Sequence, residues 1–444
     1  MSTPPDSPSL SADLDRSAAP SARIGTSASG KGSLLQKALL RTLGRFHLGR
    51  LHLELPDGSR EQFGSESGND GPRATLAVKH PDFFRRCALY GNVGLGESYL
   101  LGDWETPDIR AVLEWFIINL HADETARGSS QKLPGIGFLR FLDRARHRLR
   151  PNSPAMSRRN IEDHYDLGNE FYRLWLDPTM TYSAARFSHP DQSLEEAQSA
   201  KYEALCRKLK LRRDDHVLEI GCGWGGFAIH AARNHGCRIT CLTISPAQHQ
   251  EATRRVQEAE LEHLIEIRIQ DYRDLEGQFD KIVSIEMLEA VGDEFLETWC
   301  RKCHDVLAPG GLLAVQMITV PDCDHAELKR GADFIQRHIF PGSLLLSIGR
   351  MNEAMNRTGN LFLHHLEDMG ASYVRTLREW HGRFNDHAEE IRNLGFSEQF
   401  LRKWNYYLKY CEAGFATRNI SVVQGVYTRP VNQGTLHRED GIIG

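Results

Sequence analysis

Apolar and polar positions change their rhythm along this chain. After a Ser/Ala/Pro-rich start, residues 34–46 (LLQKALLRTLGRF) carry apolar residues at helical spacing. Residues 49–64 (GRLHLELPDGSREQFG) then read as two short strands around Pro56-Asp57-Gly58. Residues 80–120 mix helix with a Gly-rich bend. From about 200 onward, short apolar runs alternate with amphipathic segments. HVLEI (216–220), RITCLT (238–243), LIEIRI (264–269), DKIVSI (280–285) and LLAVQMI after Pro309-Gly310-Gly311 read as five strands. Gly236 closes the first intervening helix. Ser245-Pro246-Ala247-Gln248 opens the next as an S-x-x-Q capping box. Strand–helix alternation predicts an α/β fold, a parallel sheet with helices on both faces.

The chain has 444 residues, 40% hydrophobic and 25% charged, which suits two globular domains. Its 54 basic and 59 acidic residues give a net charge of −5, no basis for nucleic-acid affinity. No stretch is long and apolar enough to span a bilayer, and no export signal is expected. An odd number of cysteines, nine, fits reduced thiols and a cytoplasmic setting. Cys300-Arg301-Lys302-Cys303-His304 matches a haem-attachment pattern, but Phe295, Trp299 and Val306 place it on a buried helix face. No cluster has zinc-ligand spacing, so no metal is expected. Residues 138–150 carry five arginines against one aspartate beside Phe138, Leu139, Phe141 and Leu142. They form either a solvated linker helix or a patch for anionic lipid headgroups.

Glu219-Ile220-Gly221-Cys222-Gly223-Trp224-Gly225-Gly226 lies between a strand and a helix. Glycines there let backbone approach a ligand closely. The spacing G-x-G-x-G-G, with an acid two residues before the first glycine, suits a cofactor without phosphates. It resembles motif I of methyltransferases that use S-adenosylmethionine (SAM). The second strand ends without the usual ribose-binding acid, so Thr243 and Gln248 become the polar candidates, although Gln248 on its own reads equally as a helix cap. Asp271 and Tyr272 follow the third strand, where an adenine would lie, or form a plain surface turn.

Several longer stretches are more specific. GLGESYLLGDWE (94–105), HYDLGNEFYRLWLDPTMTYSAARF (164–187), VLEIGCGWGGFAIHAA, LTISPAQ, QDYRDL, FDKIVSIEMLEAVG, IFPGSLL (339–345) and YYLKYCEAGFATRNI (406–420) occur in family order. Over about residues 40 to 430 the chain resembles the cyclopropane-fatty-acyl-phospholipid synthases and the related mycolic acid cyclopropane synthases and methyltransferases. The resemblance implies a class I SAM-dependent methyltransferase sheet over 156–430, a smaller α+β lipid-binding domain over 34–125, a basic linker over 126–155, and tails at 1–33 and 431–444. It implies that a cis double bond of a phospholipid acyl chain attacks the SAM methyl, and that a base, thought to be bound bicarbonate, then removes a proton. The implied catalytic residues are Glu289, which orients the base, Tyr373, Cys411, Gln316 and Ile318. The implied SAM residues are Tyr182, Ser183, Glu219, Gly221, Gly223, Thr243, Gln248, Asp271, Tyr272 and Arg273. The implied partner is a bilayer surface with unsaturated acyl chains, met peripherally from the cytoplasm, and a homodimer is compatible with it.

Two positions depart from the family. Gln316 stands for its histidine and Ala184 for its cysteine, which puts the bicarbonate site and ring closure in question. On periodicity alone Cys411 belongs to an apolar stripe with Trp404, Leu408 and Phe415, Glu289 is a helix-start charge, and Tyr373 is a core aromatic. Three readings follow in order: a cyclopropane synthase, a C-methyltransferase leaving a methyl branch or methylene group, and a silent SAM- or lipid-binding protein.

Overall fold

The computed structural model describes residues 34–65, 71–122, 167–329 and 333–432. The whole linker 126–155 with its basic stretch 138–150, the tail 1–33 and residues 433–444 lie outside these residues.

The N-terminal part begins with α1 (Leu34–Leu43), followed by β1 (Arg50–Glu54), β2 (Arg60–Gly64) and β3 (Arg73–Val78). The expected hairpin is present, and the Asp57 carboxylate accepts the Ser59 amide and hydroxyl at its tip. Helix α2 (Asp82–Leu100), strand β4 (Trp104–Glu105) and helix α3 (Ile109–Ala122) complete a four-stranded sheet of order β2-β1-β3-β4. The Gly-rich bend expected here is instead a helix kinked at Gly91 (φ 57°). Gly94 and Gly96 are packing positions within that helix. A Cβ would meet the Arg86 carbonyl oxygen at 2.1 Å and the Phe334 ring at 2.4 Å.

The second part opens with α4 (Asn169–Trp175) and α5 (Leu194–Leu209), the latter started by a Ser193–Glu196 capping box. Then β5 (His216–Ile220), α6 (Gly226–His235), β6 (Arg238–Thr243), α7 (Pro246–Glu258), β7 (Ile265–Ile269), β8 (Phe279–Ile285), α8 (Asp293–Val306) and β9 (Leu307–Thr319) follow as the alternation predicts. The remaining elements are α9 (Asp322–Leu328), α10 (Phe334–His338), α11 (Ile348–Thr358), β10 (Phe362–Asp368), α12 (Gly370–Asp386), α13 (Ala388–Asn393), α14 (Glu398–Ala416) and β11 (Ser421–Thr428). The sheet order is β10-β11-β9-β8-β5-β6-β7. The five expected strands are parallel, and two further strands extend the sheet, with β11 antiparallel to both β9 and β10.

Side chains alternate across this sheet. Val217, Ile239 and Val283 pack under α5 and α6, whereas Leu218, Ile220 and Ile282 pack under α8 and α11. Trp299, Cys300 and Cys303 lie buried on α8, so the haem-like pentapeptide is a core face. All nine cysteines are free thiols. A third, aromatic-rich core joins α2, α3, α4, α12 and α14. There the buried Glu412 carboxylate accepts from Arg110 on α3 (2.9 Å), Arg378 on α12 (3.3 Å) and Lys409 (2.7 Å).

Candidate active site

Successive strands leave β5 in opposite directions, toward β6 on one side and β8 on the other. Such a switch point opens a crevice beyond the strands' carboxyl ends. The glycine turn follows β5 and Glu286 follows β8, so both stand at that crevice.

Gly221, Gly223 and Gly225 all have positive φ (83°, 53° and 80°). A Cβ on Gly221 would meet Met287 at 2.6 Å, whereas one on Gly223 meets nothing within 4 Å. The turn is thus closed beneath by Met287 and open above, which fits a small cofactor laid on backbone. Gly225 starts α6 and leaves its first amides available. The half-buried Arg255, absent from the candidates, fixes the turn to the 178–182 segment. Its guanidinium donates to the carbonyls of Trp224 (2.9 Å), Thr179 (2.8 Å) and Pro178 (3.2 Å). Trp224 Nε1 in turn donates to Asn169 (2.8 Å).

Across the turn, the Thr243 hydroxyl donates to the Gln248 side-chain carbonyl at 3.0 Å. Ser245 caps α7 through the Gln248 amide, but the Gln248 side chain does not reach back. The capping box is therefore half made, and the side chain serves Thr243 instead. Asp271 grips Arg273 with both oxygens (2.9 and 2.8 Å), and Arg273 lies between the Tyr272 and Phe295 rings. Glu219 is buried below the turn with the Cys241 thiol 3.5 Å away, and burial pushes its carboxyl up to about 8. Tyr182 bonds the Tyr407 hydroxyl at 2.8 Å. Ser183 Oγ accepts from Lys201 Nζ at 2.7 Å. Lys201 is fully buried, and burial lowers it to about 7 against the pull of Glu286, Asp177 and Glu219.

The donors expected around the base gather on another carboxylate. Glu286, not among the candidates, takes them. Its Oε1 accepts from the Ala184 amide (2.8 Å) and from Gln316 Nε2 (2.7 Å), and its Oε2 accepts from the Tyr373 hydroxyl (2.8 Å). Gln316 also donates to the Ala184 carbonyl at 3.2 Å, so both amide hydrogens are used. Its own carbonyl accepts from Gln424 (2.9 Å), whose carbonyl accepts from Lys208. Glu286 holds φ 48°, an uncommon value for a side chain of this size. Burial raises its carboxyl, while Gln316, the Ala184 amide, Lys201 and Tyr373 oppose the rise. Burial and the Glu286 charge also hold the Tyr373 hydroxyl well above its ordinary range.

Glu289 sits one 3-10 turn later. Its Oε1 accepts the Ile318 amide at 2.6 Å, and its Oε2 is buried without a hydrogen-bond partner. The fold thus joins Glu289 to Ile318, and Tyr373 and Gln316 to Glu286. Cys411 packs beside the aromatic core on α14, in the stripe with Trp404, Leu408 and Phe415, and burial pushes its thiol up. Away from the crevice, Glu203, Cys206 and His235 place ligand atoms within 4.8 Å of one another across α5 and α6, a grouping that sequence spacing hides.

Bicarbonate does not fit this niche. The Ala184 amide, both Gln316 hydrogens, the Tyr373 hydroxyl and the Ile318 amide already serve Glu286, Glu289 or the Ala184 carbonyl.

One titration consequence follows directly. Burial, and secondly the Glu286 charge, push the Glu289 carboxyl from 4.5 to about 8. Between those values the unfolded chain has released a proton that the folded chain retains, so stability falls as pH rises through the window. Glu289→Gln keeps an acceptor for Ile318 and removes this share. The melting temperature of the variant is expected to gain on wild type progressively between about pH 5 and pH 8. A constant difference across that range would show that Glu289 ionises normally.

The sequence profile described as Mycolic acid cyclopropane synthetase matches residues 152–425. The tuberculostearic acid methyltransferase UfaA1 of Mycobacterium tuberculosis is 35% identical over 386 residues, covering 82% of this chain and 86% of the relative. The cyclopropane-fatty-acyl-phospholipid synthase of Escherichia coli K12 is also 35% identical, over 368 residues, covering 82% and 91%. The crystal structure of mycolic acid cyclopropane synthase CmaA1 with SAH and CTAB superposes with a TM-score of 0.58 at 28% identity, covering 61% of this chain and 98% of that one. Glycine turn, switch-point crevice and these similarities agree: the chain belongs to the cyclopropane-fatty-acyl and mycolic acid synthase and methyltransferase family, and it is a SAM-dependent methyltransferase.

Proposed function

We propose that this enzyme transfers the SAM methyl carbon to a cis double bond in a phospholipid acyl chain and closes it to a cyclopropane. The observation that carries the reading is a carboxylate–tyrosine pair at the crevice, half-buried Glu286 bonded to buried Tyr373, walled by aromatic rings. Tyr373 packs on Phe415 (4.5 Å) and Trp380 (5.9 Å), and Tyr182 packs on Trp380 (5.3 Å) and Trp175 (5.4 Å). Such walls suit an acyl chain. Their faces favour a cation while excluding water that would trap it. A weak nucleophile such as an alkene depends on this enclosure and alignment. In this reading the glycine turn, Thr243, Gln248 and the Tyr182–Ser183 segment hold SAM, whose sulfonium methyl is the carbon transferred. Cys411 lies in the same wall as Tyr373.

The substrate is placed at a bilayer surface, with residues 34–122 and the basic 138–150 stretch as the contact. Among the described residues no helix is long and apolar enough to cross a membrane.

A second reading, a methyl branch or methylene group, is favoured by Gln316 and by the equal likeness to a relative named as a methyltransferase. Turnover with SAM carrying three deuteria on the methyl, followed by lipid mass spectrometry and NMR, separates the outcomes. A ring retains two deuteria and shows upfield ring protons in a parallel run with unlabelled SAM. A methylene group also retains two but gives vinylic signals. A methyl branch retains all three, and its dominance would replace cyclopropanation with the second reading.

A further inference from the structure

We propose that Glu286 is the proton acceptor of this reaction, a base built into the chain in the position where the family resemblance leads one to expect bicarbonate. The proposal rests on the acyl-chain transfer reading above.

The two positions at which the chain departs from the family pattern both touch this one side chain. The Ala184 amide and Gln316 Nε2 converge on Glu286 Oε1 at 2.8 and 2.7 Å. Tyr373 completes the set on Oε2 at 2.8 Å. A free anion would therefore find its donors taken and a carboxylate already in place. It would also face repulsion from that carboxylate in a buried setting, where charges act strongly. Lys201, buried and bonded to Ser183, is the basic group whose pull favours the Glu286 carboxylate. The chain holds Glu286 at φ 48° with its amide donating to the main-chain carbonyl of Gln316 at 2.7 Å. That unusual backbone turns the side chain back toward Ala184 and Tyr373. A neutral Gln316 suits a resident carboxylate, since its second hydrogen anchors the Ala184 carbonyl (3.2 Å).

The electron count closes without another reactant. The alkene π pair forms a bond to the sulfonium methyl, and the methyl–sulfur bond breaks with its pair left on sulfur. Glu286 takes a proton from the new methyl, and the freed C–H pair closes the ring onto the cationic carbon. The Glu286 acid then releases its proton to solvent after the product leaves.

The test uses the full-length enzyme with unsaturated phospholipid vesicles and SAM in carbon dioxide-free buffer, with and without added bicarbonate. Wild-type initial rates are expected to be the same in both. The line width of [13C]bicarbonate in NMR is expected to be unchanged by the enzyme. The double variant Glu286→Gly, Gln316→His reopens an anion niche. It is expected to lose about 10²–10⁴-fold in rate, the usual worth of a general base, and to recover part of that with bicarbonate. If this variant does not fold, the wild-type rates and the NMR decide. A wild-type rate that follows bicarbonate, or [13C]bicarbonate broadened by the enzyme, overturns the built-in base and leaves the transfer reading intact. No product from any unsaturated phospholipid at any bicarbonate concentration overturns the transfer reading and the base with it.

Discussion

Glutamine in place of Glu286 is expected to lower kcat on unsaturated phospholipid by about 10²–10⁴-fold, with SAM affinity near that of wild type. The substitution is close to isosteric. With its amide oxygen at the Oε1 position, glutamine still accepts from the Ala184 amide and Gln316 (2.8 and 2.7 Å in wild type). Its NH2 then faces the Tyr373 hydroxyl, which rotates from donor to acceptor. The local network survives with one polarity reversed, so folding is preserved and only basicity is lost. The glycine turn follows the neighbouring strand β5 and packs on Met287, whereas the Glu286 carboxylate bonds Ala184, Gln316 and Tyr373. Single-turnover rates and calorimetric titration with SAH separate the two effects. Wild-type turnover from this variant would remove Glu286 from the chemistry.

Alanine at Trp404 is expected to cost about 3–5 kcal/mol of stability. Trp404 is 2% exposed. Its ring lies 5.0 Å from Phe171, 5.4 Å from Trp175, 5.5 Å from Tyr407 and 6.2 Å from Phe384. Those partners come from α4, α12 and α14, so the cavity would open where three helices meet. Rigid aromatic neighbours cannot collapse into it, which places the cost at the upper end for large-to-small changes. The denaturant midpoint should fall with the slope retained. Trp175 also packs on Tyr182, so weaker SAM binding is expected to accompany the loss. An unchanged midpoint would mean that the helices close over the gap.

Much of this was legible in the sequence. Strands β5 to β8 stand out because each is a short apolar run between strong breakers, and Gly236 and Ser245 mark helix ends by their own chemistry. Strand β10 did not stand out, since FLHHLED is an edge strand with mostly exposed side chains and no burial alternation to read. Strand β11 holds Gln424 and Gly425 mid-strand, and pairing with distant β9 decides its state. Within SIEMLEAVG nothing local distinguishes two glutamates three residues apart. The resemblance selected Glu289, and only the fold shows which carboxylate meets Tyr373. Lys201 and Gln198, which donates to the Ser183 main-chain carbonyl at 3.0 Å, carried a signal that spacing alone offers. They sit on the α5 stripe of Leu194, Ala197 and Leu205, where a polar residue must find a buried partner. Arg255 had no such mark, because its partners are three backbone carbonyls.

The chain of side chains behind Glu286 has a direction. Lys208 donates to the Gln424 carbonyl, Gln424 donates to the Gln316 carbonyl, and Gln316 donates to Glu286. Each amide therefore turns the positive end of its dipole toward the carboxylate, and a cation stands at the head of the row. Aligned dipoles of this kind reinforce one another, as peptide units do along a helix. The Lys208 charge is itself paired with Glu367, so it is the two oriented amides that face the carboxylate with fixed positive ends, and neither need approach the reacting carbon. The negative charge on Glu286 is thereby stabilised in a dry site while the space in front of it stays free for an acyl chain.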